Sequence, residues 1–369
     1  MEDPEITDPI SELLTNYSDL NPPHITVLES EPSPLEFMRY VSRNTPFLVK
    51  SYASSWPATK SWTPSHLKSL LGSTPVNVAI TPHGNADSPL ALQDGTLVFV
   101  KPHEEQQPFD QFIDYLTSSS SSSLNKSSSN SDEGGEKKKE VRYAQTQNDN
   151  LRNEYASLYS QVQPDVPFAR IALDNKHPEA INLWIGTGQS VTALHKDNYE
   201  NVYVQISGKK HFVLLPPVCQ PCVNEQMLEQ AHYTRLSPSS SGSGSTIHEG
   251  DLLPVEGFEH FGLVIEENQP HIPFATWDPD SPMVNETEYS CLAKPMRVTL
   301  EPGDMLYLPA MWYHKVSQSC EEGGMSVAVN YWYDMEFAGP LYPLTTFVRS
   351  VFNREREIDS DVEEDEEER

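Results

Sequence analysis

The chain has 369 residues, with 54 acidic against 25 basic side chains and a formal net charge of −29. This charge excludes non-specific binding to nucleic acid, which needs clustered Lys and Arg, and it disfavours docking on anionic membranes. Because the chain starts without a signal-peptide pattern, has no apolar run as long as a membrane span and has only four cysteines, we expect a cytoplasmic protein, with the nucleus as a second compartment.

The N-terminal third alternates helix and strand signals. Residues 1–27 are expected to be partly ordered, and residues 28–116 to form an α+β flank of the main domain. Ser33-Pro34-Leu35-Glu36 is a capping box with proline at the first helical position, and Gly72 is a helix stop. The predicted elements in chain order are a helix from Pro34, a strand at 45–49, a helix from Pro64, a strand at 76–80 and a helix at 109–116.

Three segments have compositions that cannot bury enough apolar surface to offset the entropy of ordering. Residues 117–140 form a serine-rich insertion, in which ten of the fourteen residues 118–131 are Ser. A smaller serine- and glycine-rich loop covers about 237–246, and the tail at 354–369 has ten acidic and three basic side chains. We predict that all three segments are disordered.

From about Pro178 the pattern changes to short β-branched and aromatic runs separated by glycine and proline. Such runs predict the antiparallel strands of a sandwich or barrel, and residues 141–353 are expected to form this β core. In the last run, one face is apolar and the other is small and polar, which suits a strand that lines a cavity. The predicted strands are 181–185, 190–195, 201–206, 211–215, 297–300, 305–308 and 325–333.

A candidate metal site combines residues from two of these runs. His195 and Asp197 lie two apart on an extended segment, so both side chains point the same way, and a turn brings His314 to the start of another strand. Two histidines and one carboxylate with open positions suit non-haem Fe(II), whereas zinc would usually need a fourth ligand or a hydrolytic site. Lys210, at the edge of an apolar strand, is costly to bury unless an anion such as a dicarboxylic cosubstrate binds it.

Two longer segments carry a resemblance to a known family. Residues 182–217 contain Leu-His-Lys-Asp-Asn-Tyr-Glu-Asn and Gly-Lys-Lys-His-Phe-Val-Leu-Leu-Pro-Pro, and residues 306–334 contain Tyr-Leu-Pro-Ala-Met-Trp-Tyr-His and Val-Asn-Tyr-Trp-Tyr-Asp. From about Leu35 to Phe352 the chain resembles the JmjC-domain hydroxylases of the small type. The resemblance implies a mainly β fold: a double-stranded β-helix (cupin or jelly-roll) core with flanking helices and an N-terminal α+β extension.

The resemblance also implies how the chain holds its cofactors. His195, Asp197 and His314 would bind Fe(II), and 2-oxoglutarate and dioxygen would be the cosubstrates. Trp184 is a candidate for a substrate groove, although aromatic side chains on such strands more often belong to the core. The implied 2-oxoglutarate contacts are Lys210, Thr192 and Tyr143 at the C5 carboxylate, and Asn201 and Asn330 near the iron-bound end.

The implied activity is hydroxylation of a protein side chain. The family resemblance points to lysine C3 in a developmentally regulated GTP-binding protein, and an acidic enzyme would attract such a basic partner. Members of the family often dimerise through C-terminal helices, so a homodimer is expected here. A helix at 341–354 would form it, with Phe347, Val351 and Phe352 as contacts.

Three other functions stay open at this stage. A lysine demethylase uses the same iron chemistry but oxidises an N-methyl carbon. A non-catalytic cupin would bind partners through its acidic surface without consuming 2-oxoglutarate. An endopeptidase has been suggested for some members of the family, but the sequence has no recognisable nucleophile or hydrolytic glutamate.

Overall fold

The structure is a computed structural model, and it describes residues 8–122, 139–236, 252–321 and 324–367. Within these residues, seven α-helices accompany four β-sheets. None of the helices in this part of the chain has both the length and the apolar character that crossing a membrane requires. The helices are α1 (Pro9–Leu20), α2 (Pro34–Arg43), α3 (Pro57–Ser61), α4 (Pro64–Leu71), α5 (Phe109–Ser122), α6 (Pro167–Ala172) and α7 (Leu341–Glu367).

Two sheets that pack against each other form the β core. The first has the order β1 (Thr26–Leu28), β2 (Phe47–Val49), β17 (Met305–Leu308), β10 (Tyr199–Ser207), β19 (Ser326–Asp334) and β8 (Ala180–Gly186). The second has the order β16 (Met296–Leu300), β11 (Lys209–Leu215), β18 (Tyr313–Ser319) and β9 (Thr192–His195). Tyr203 of the first sheet and Phe212 of the second have ring centroids 5.1 Å apart within one buried apolar cluster. The predicted mainly β, double-stranded β-helix core is confirmed.

Two further sheets join the N-terminal flank to this core. The third sheet has the order β13 (Leu252–Pro254), β14 (Phe261–Ile265), β12 (Glu225–Arg235), β5 (Leu97–Lys101) and β4 (Ser88–Ala91), and β15 (Ile272–Ala275) also pairs with β12. The fourth has the order β6 (His103–Pro108), β3 (Pro75–Thr81) and β7 (Val141–Tyr143). Because β2 pairs with β17 and β5 pairs with β12, the flank shares sheets with later strands.

The two faces of β19 have different environments, as the sequence pattern predicted. Val327, Val329 and Tyr331 are fully buried in the largest apolar cluster, which includes residues of α2 and α6. Asn330 and Trp332 point to the other side and line a cavity between the two core sheets. Since neighbouring residues of a strand point to opposite faces, this one strand contributes both to the core and to the cavity.

The predicted helix ends of the flank are also present. The Ser33 hydroxyl accepts a hydrogen bond from the backbone N–H of Glu36 at 3.2 Å, and the Thr63 hydroxyl accepts one from the N–H of His66 at 3.2 Å. Gly72 ends α4 with a φ of +51°, a conformation that costs glycine little. These caps fix where α2 and α4 begin and where α4 ends.

Two predicted disordered segments begin as helix. Helix α5 continues to Ser122, inside the predicted insertion 117–140, and α7 continues to Glu367, inside the predicted tail 354–369. Extending an existing helix needs no new nucleus, and the many Glu residues of the tail have good helix propensity. Residues 123–138 of the insertion and the loop predicted at 237–246 lie outside the described residues, whereas Glu140, the last residue of the predicted insertion, is buried and pairs with Arg142.

The C-terminal helix packs on its own chain with residues that the sequence assigned to a dimer contact. Phe352 is 2% exposed, and its ring lies 5.8 Å from that of Tyr289. Val351 packs against the same buried cluster. The assignment of Phe352 to a dimer contact is wrong, because its side chain is already buried within the chain, whereas Val351 is only partly buried and its predicted contact stays a prediction. Phe347 is 64% exposed.

Candidate metal centre and cosubstrate cavity

The three predicted metal ligands converge at the ends of two paired strands. His195 ends β9 and lies opposite His314 of β18 in the strand register. The Asp197 carboxylate oxygen Oδ2 lies 3.8 Å from Nε2 of His195 and 3.7 Å from Nε2 of His314. One ligand atom from each of the three residues lies within 4.8 Å of the other two, so the three side chains can bind a single ion.

Hydrogen bonds orient both imidazoles toward this point. Nδ1 of His195 lies 2.8 Å from the carbonyl oxygen of Ala193, and Nδ1 of His314 lies 3.0 Å from that of Trp312. A carbonyl only accepts, so Nδ1 carries the proton and Nε2 keeps a free lone pair for a metal. Burial lowers the pKa of His314 to about 4, so this imidazole is neutral at physiological pH.

The turn before His314 is held in place from two directions. Met311 has a φ of +66°, and its backbone N–H donates to the carbonyl of Asp197 at 2.7 Å. The indole N–H of Trp312 donates to the backbone and side-chain oxygens of Asn44 at 2.8 and 2.7 Å. Since Asn44 caps the C-terminal end of α2, the N-terminal flank braces the segment that delivers the second histidine.

A buried cation lies in the cavity beside the ligands. Lys210 is 2% exposed, and among the described residues its ammonium has one hydrogen-bond partner, the hydroxyl of Tyr143 at 2.8 Å. Burial lowers the pKa of Lys210 to about 7 and raises that of Tyr143. A buried ammonium with so little compensation is costly, so the cavity favours an anionic ligand.

Two amides form a chain of hydrogen bonds across the same cavity. Asn330 donates from Nδ2 to Oδ1 of Asn201 at 3.1 Å, and the indole N–H of Trp184 donates to Oδ1 of Asn330 at 2.9 Å. Trp184 also stacks against Tyr143, with ring centroids 6.2 Å apart. Trp184 therefore lies beside the predicted cosubstrate residues, and its contact with a protein substrate stays a prediction.

All the residues predicted for the metal and the cosubstrate line one cavity, and Thr192 completes the set. The sequence reasoning missed several other lining residues. Two of them follow from alternation, because Tyr203 and Phe212 lie two positions after Asn201 and Lys210 respectively. Trp332 lies two positions after Asn330, on the face that the sequence pattern assigned to the cavity. The indole nitrogen of Trp332 is buried and has no partner among the described residues. The lining residues missed are Gln147, Tyr203, Phe212 and Val316.

Comparisons with known proteins agree with this geometry. A family model described as a cupin-like domain matches residues 32–339. The chain is 35% identical to the lysine-specific demethylase JMJ32 of Arabidopsis thaliana, over 84% of this chain and 81% of the relative. It is 34% identical to the bifunctional peptidase and (3S)-lysyl hydroxylase JMJD7 of Homo sapiens, over 85% of each chain. It is 30% identical to the JmjC domain-containing protein E of Dictyostelium discoideum, over 89% of each. The chain therefore belongs to the JmjC family of cupin-like, 2-oxoglutarate-dependent oxygenases.

Proposed function

We propose that this oxygenase uses Fe(II), 2-oxoglutarate and dioxygen to hydroxylate C3 of a lysine side chain in a developmentally regulated GTP-binding protein. The observation that carries the proposal is the meeting of His195, Asp197 and His314 beside a cavity that contains the buried cation of Lys210. The similarity to a relative named as a (3S)-lysyl hydroxylase supports the choice of substrate.

The donor set fits iron. Two imidazole Nε2 atoms and one carboxylate oxygen leave coordination positions open, as non-haem Fe(II) oxygenases require. The hydrogen bonds of both Nδ1 atoms to backbone carbonyls keep His195 and His314 in the tautomer that binds metal. We assign His195, Asp197 and His314 as the ligands.

The cavity fits a dicarboxylic acid whose two carboxylate ends have different surroundings. Lys210, with hydroxyls of Tyr143 and Thr192 beside it, would bind the distal C5 carboxylate through charge-assisted hydrogen bonds. Asn201 and Asn330 would orient the C1 carboxylate near the metal. These roles satisfy the charge of Lys210, which the described residues leave with a single neutral partner.

When bound, iron supplies oxidation chemistry: dioxygen gives one oxygen atom to a substrate C–H bond and one to 2-oxoglutarate, which becomes succinate and carbon dioxide. The residues of this chain position the reactants and limit the access of water. Phe212 and Val316 give the cavity apolar walls, and Tyr143 keeps its proton because burial raises its pKa, so it remains a donor. The fixed ligands and donors need no reorganisation during turnover.

The close packing of Gly186 tests the role of Tyr143. A methyl group added at Gly186 would meet the ring of Tyr143 and lie 2.7 Å from Nε2 of Gln318. Gly186→Ala should move the hydroxyl of Tyr143 and raise the KM for 2-oxoglutarate about tenfold, the loss of roughly one hydrogen bond to a charged group. Gly339→Ala is the control, since a methyl group there meets only ordinary contacts. Equal KM values for both variants would contradict the assignment of Tyr143.

A second candidate is demethylation, which the name of the Arabidopsis relative favours. Mass spectrometry of lysine and N-methyl-lysine peptides, incubated with Fe(II) and 2-oxoglutarate in air, separates the two functions. We expect unmethylated lysine to gain the mass of one oxygen atom stably, without release of formaldehyde. Loss of a methyl group with formaldehyde release would establish demethylation instead. Cleavage of the peptide would support the peptidase activity that the human relative's name includes, and no consumption of 2-oxoglutarate would support a binding protein.

We also propose a homodimer through α7, supported by two exposed apolar side chains on this helix. Leu344 and Phe347 are 60% and 64% exposed, so pairing would remove their surface from water. Sedimentation at micromolar concentration should show a dimer that Phe347→Glu converts to a monomer, and a monomeric wild type would remove the proposal.

For the localisation, we propose the cytoplasm with the nucleus as a second compartment, which imaging of the tagged full chain tests.

A further inference from the structure

A second cavity, of about 380 Å³, opens next to the metal centre and shares His195 with it. One wall is helix α7, and another is the 3₁₀ helix Pro217–Cys222. Pro273, Phe274 and Ala275 of strand β15 also line the cavity. We call this cavity the α7 cleft. Because it reaches a metal ligand without containing the predicted cosubstrate residues, it is separate from the cosubstrate cavity but within reach of the reaction.

The charge of the α7 cleft is opposite to that of the whole chain. Its charged side chains are Lys196, Glu225 and Arg349. Glu225 accepts from Lys196 Nζ at 2.8 Å and pairs with Arg349 Nη2 at 2.5 Å. Two cations share one carboxylate, so one positive charge is left in a chain of net charge −29. Arg349 is 35% exposed, so its guanidinium is accessible to a ligand.

The cleft also contains a polar side chain without a partner. Gln220 lines it and is 3% exposed, and neither Nε2 nor Oε1 of its amide has a hydrogen-bond partner among the described residues. An unpaired buried amide is destabilising, and native proteins rarely keep one without a functional reason. One donor and one acceptor on the same group are the complement of a backbone peptide unit.

One face of α7 borders the cleft, and most of its side chains carry polar groups. Tyr342, Thr345, Thr346 and Arg349 all line it, and their spacing of three, four and seven places them on one face of the helix. This face offers hydroxyls, an aromatic ring and a guanidinium, which suits an extended peptide better than a small apolar ligand. A nucleic acid would need many more cations than one.

We propose that the α7 cleft binds the segment of the protein substrate that flanks the target residue, with Gln220 pairing with a backbone peptide unit and Arg349 pairing with an acidic side chain. The inference rests on the proposed function, since the flanking segment follows from a polypeptide substrate whose reacting residue is at the metal. It specifies the substrate further: an acidic residue lies at a fixed distance from the hydroxylated position.

Fluorescence polarisation with two peptide sets tests the proposal. Each peptide has a central lysine, and one Glu, or one Gln of the same shape, is placed in turn at each flanking position. The full-length enzyme is loaded with Mn(II) and 2-oxoglutarate so that binding is measured without turnover. At one flanking position, the peptide with Glu should bind about tenfold more tightly than the peptide with Gln, which is the effect of one charge-assisted hydrogen bond. Equal binding of Glu and Gln at every position would overturn the proposal.

Two variants link the preference to the cleft. Arg349→Gln should abolish the difference between the Glu and Gln peptides, whereas Arg297→Gln, which changes an exposed arginine paired with Asp280 elsewhere, should keep it. Because Arg349 also holds α7 to Glu225, Arg349→Gln could disturb the fold, and a second variant tests the cleft without breaking this ion pair. Gln220→Met removes the unpaired amide at similar volume, so it should weaken all peptides about tenfold while the melting temperature stays equal or rises.

A lower melting temperature of Gln220→Met with unchanged peptide binding would overturn the role of Gln220, because that result marks a structural side chain. Failure of the proposed function gives a different result. Peptides that bind with the Glu preference but gain no oxygen with Fe(II) in air would leave the cleft in place and remove hydroxylation. Glu and Gln peptides that gain oxygen equally, in the wild type and in Arg349→Gln, would support hydroxylation and overturn the proposed role of the α7 cleft.

Discussion

Replacing His314 by alanine is expected to lower 2-oxoglutarate turnover about a thousandfold or more, since a bound metal contributes several kcal/mol to the reaction. The imidazole is buried, neutral because burial lowers its pKa to about 4, and oriented by the carbonyl of Trp312. Alanine keeps none of these features, and the remaining His195 and Asp197 leave the ion with two protein ligands. Consumption of 2-oxoglutarate under air with Fe(II) measures the loss.

A second measurement separates loss of metal from loss of fold. Metal ions that bind only the folded state raise the melting temperature of the wild type. The variant His314→Ala should melt at a temperature that does not depend on added metal. His211→Ala is the matched control, because His211 is also on a core strand but bonds to Thr299 and Ser319. Turnover of His314→Ala within tenfold of the wild type would contradict the assigned ligand.

Local patterns in the sequence were sufficient to predict most of the core strands. Alternation along 325–333 correctly separated the core face from the cavity face, because each strand has a period of two wherever it lies in the sheet. The capping signals at Ser33 and Thr63 likewise depend on neighbouring residues. Both kinds of pattern depend on the backbone geometry of neighbouring residues, and this geometry is the same wherever the element lies in the fold.

Contacts between distant segments were beyond these patterns. The sequence does not indicate that Asn44 braces Trp312, which is 268 residues away, or that β9 and β18 pair at His195 and His314. The dimer assignment of Phe352 failed for the same reason: an apolar residue on a helix is the same in sequence whether it packs on its own chain or on another. Only the three-dimensional arrangement distinguishes these cases.

The net charge is another property that the sequence gives only as an average. A value of −29 describes the chain as a whole, whereas single sites are set by the few groups that face them. Lys210 is a buried cation with a neutral partner, and the α7 cleft has one positive charge in excess. Local positive charge can therefore favour an anion even in an acidic protein, since screening reduces the effect of distant surface charges.

Replacing Lys210 by methionine is expected to lower the affinity for 2-oxoglutarate about tenfold to a hundredfold, which is typical of losing a hydrogen bond to a charged group. Methionine fills a similar volume, so the fold should be retained. The ligand-free variant should be at least as stable as the wild type, because a buried charge with one neutral partner is replaced by an apolar group. Calorimetric titration with 2-oxoglutarate and a melting curve give both quantities.

The matched control is its neighbour Lys209. Lys209 is 48% exposed and pairs with Glu301, because adjacent residues of β11 point to opposite faces. Lys209→Met removes the same charge from the same strand and should leave the affinity for 2-oxoglutarate within twofold, as is usual for exposed ion pairs. A similar loss in both variants would mean that the general charge of the strand, and not the buried ammonium, attracts the ligand.

The affinity for 2-oxoglutarate should also depend on pH in one direction. Burial lowers the pKa of Lys210 to about 7 in the ligand-free protein, and a bound carboxylate raises it by favouring the charged form. Above pH 7 the free enzyme has a neutral Lys210 and must take up a proton to bind, so the affinity falls up to about tenfold per pH unit. Below pH 7 the lysine is already charged and this dependence vanishes. The methionine variant has no such group, so its affinity should not change across pH 7. If the affinity of Lys210→Met falls above pH 7 as steeply as that of the wild type, the titrating group is another residue.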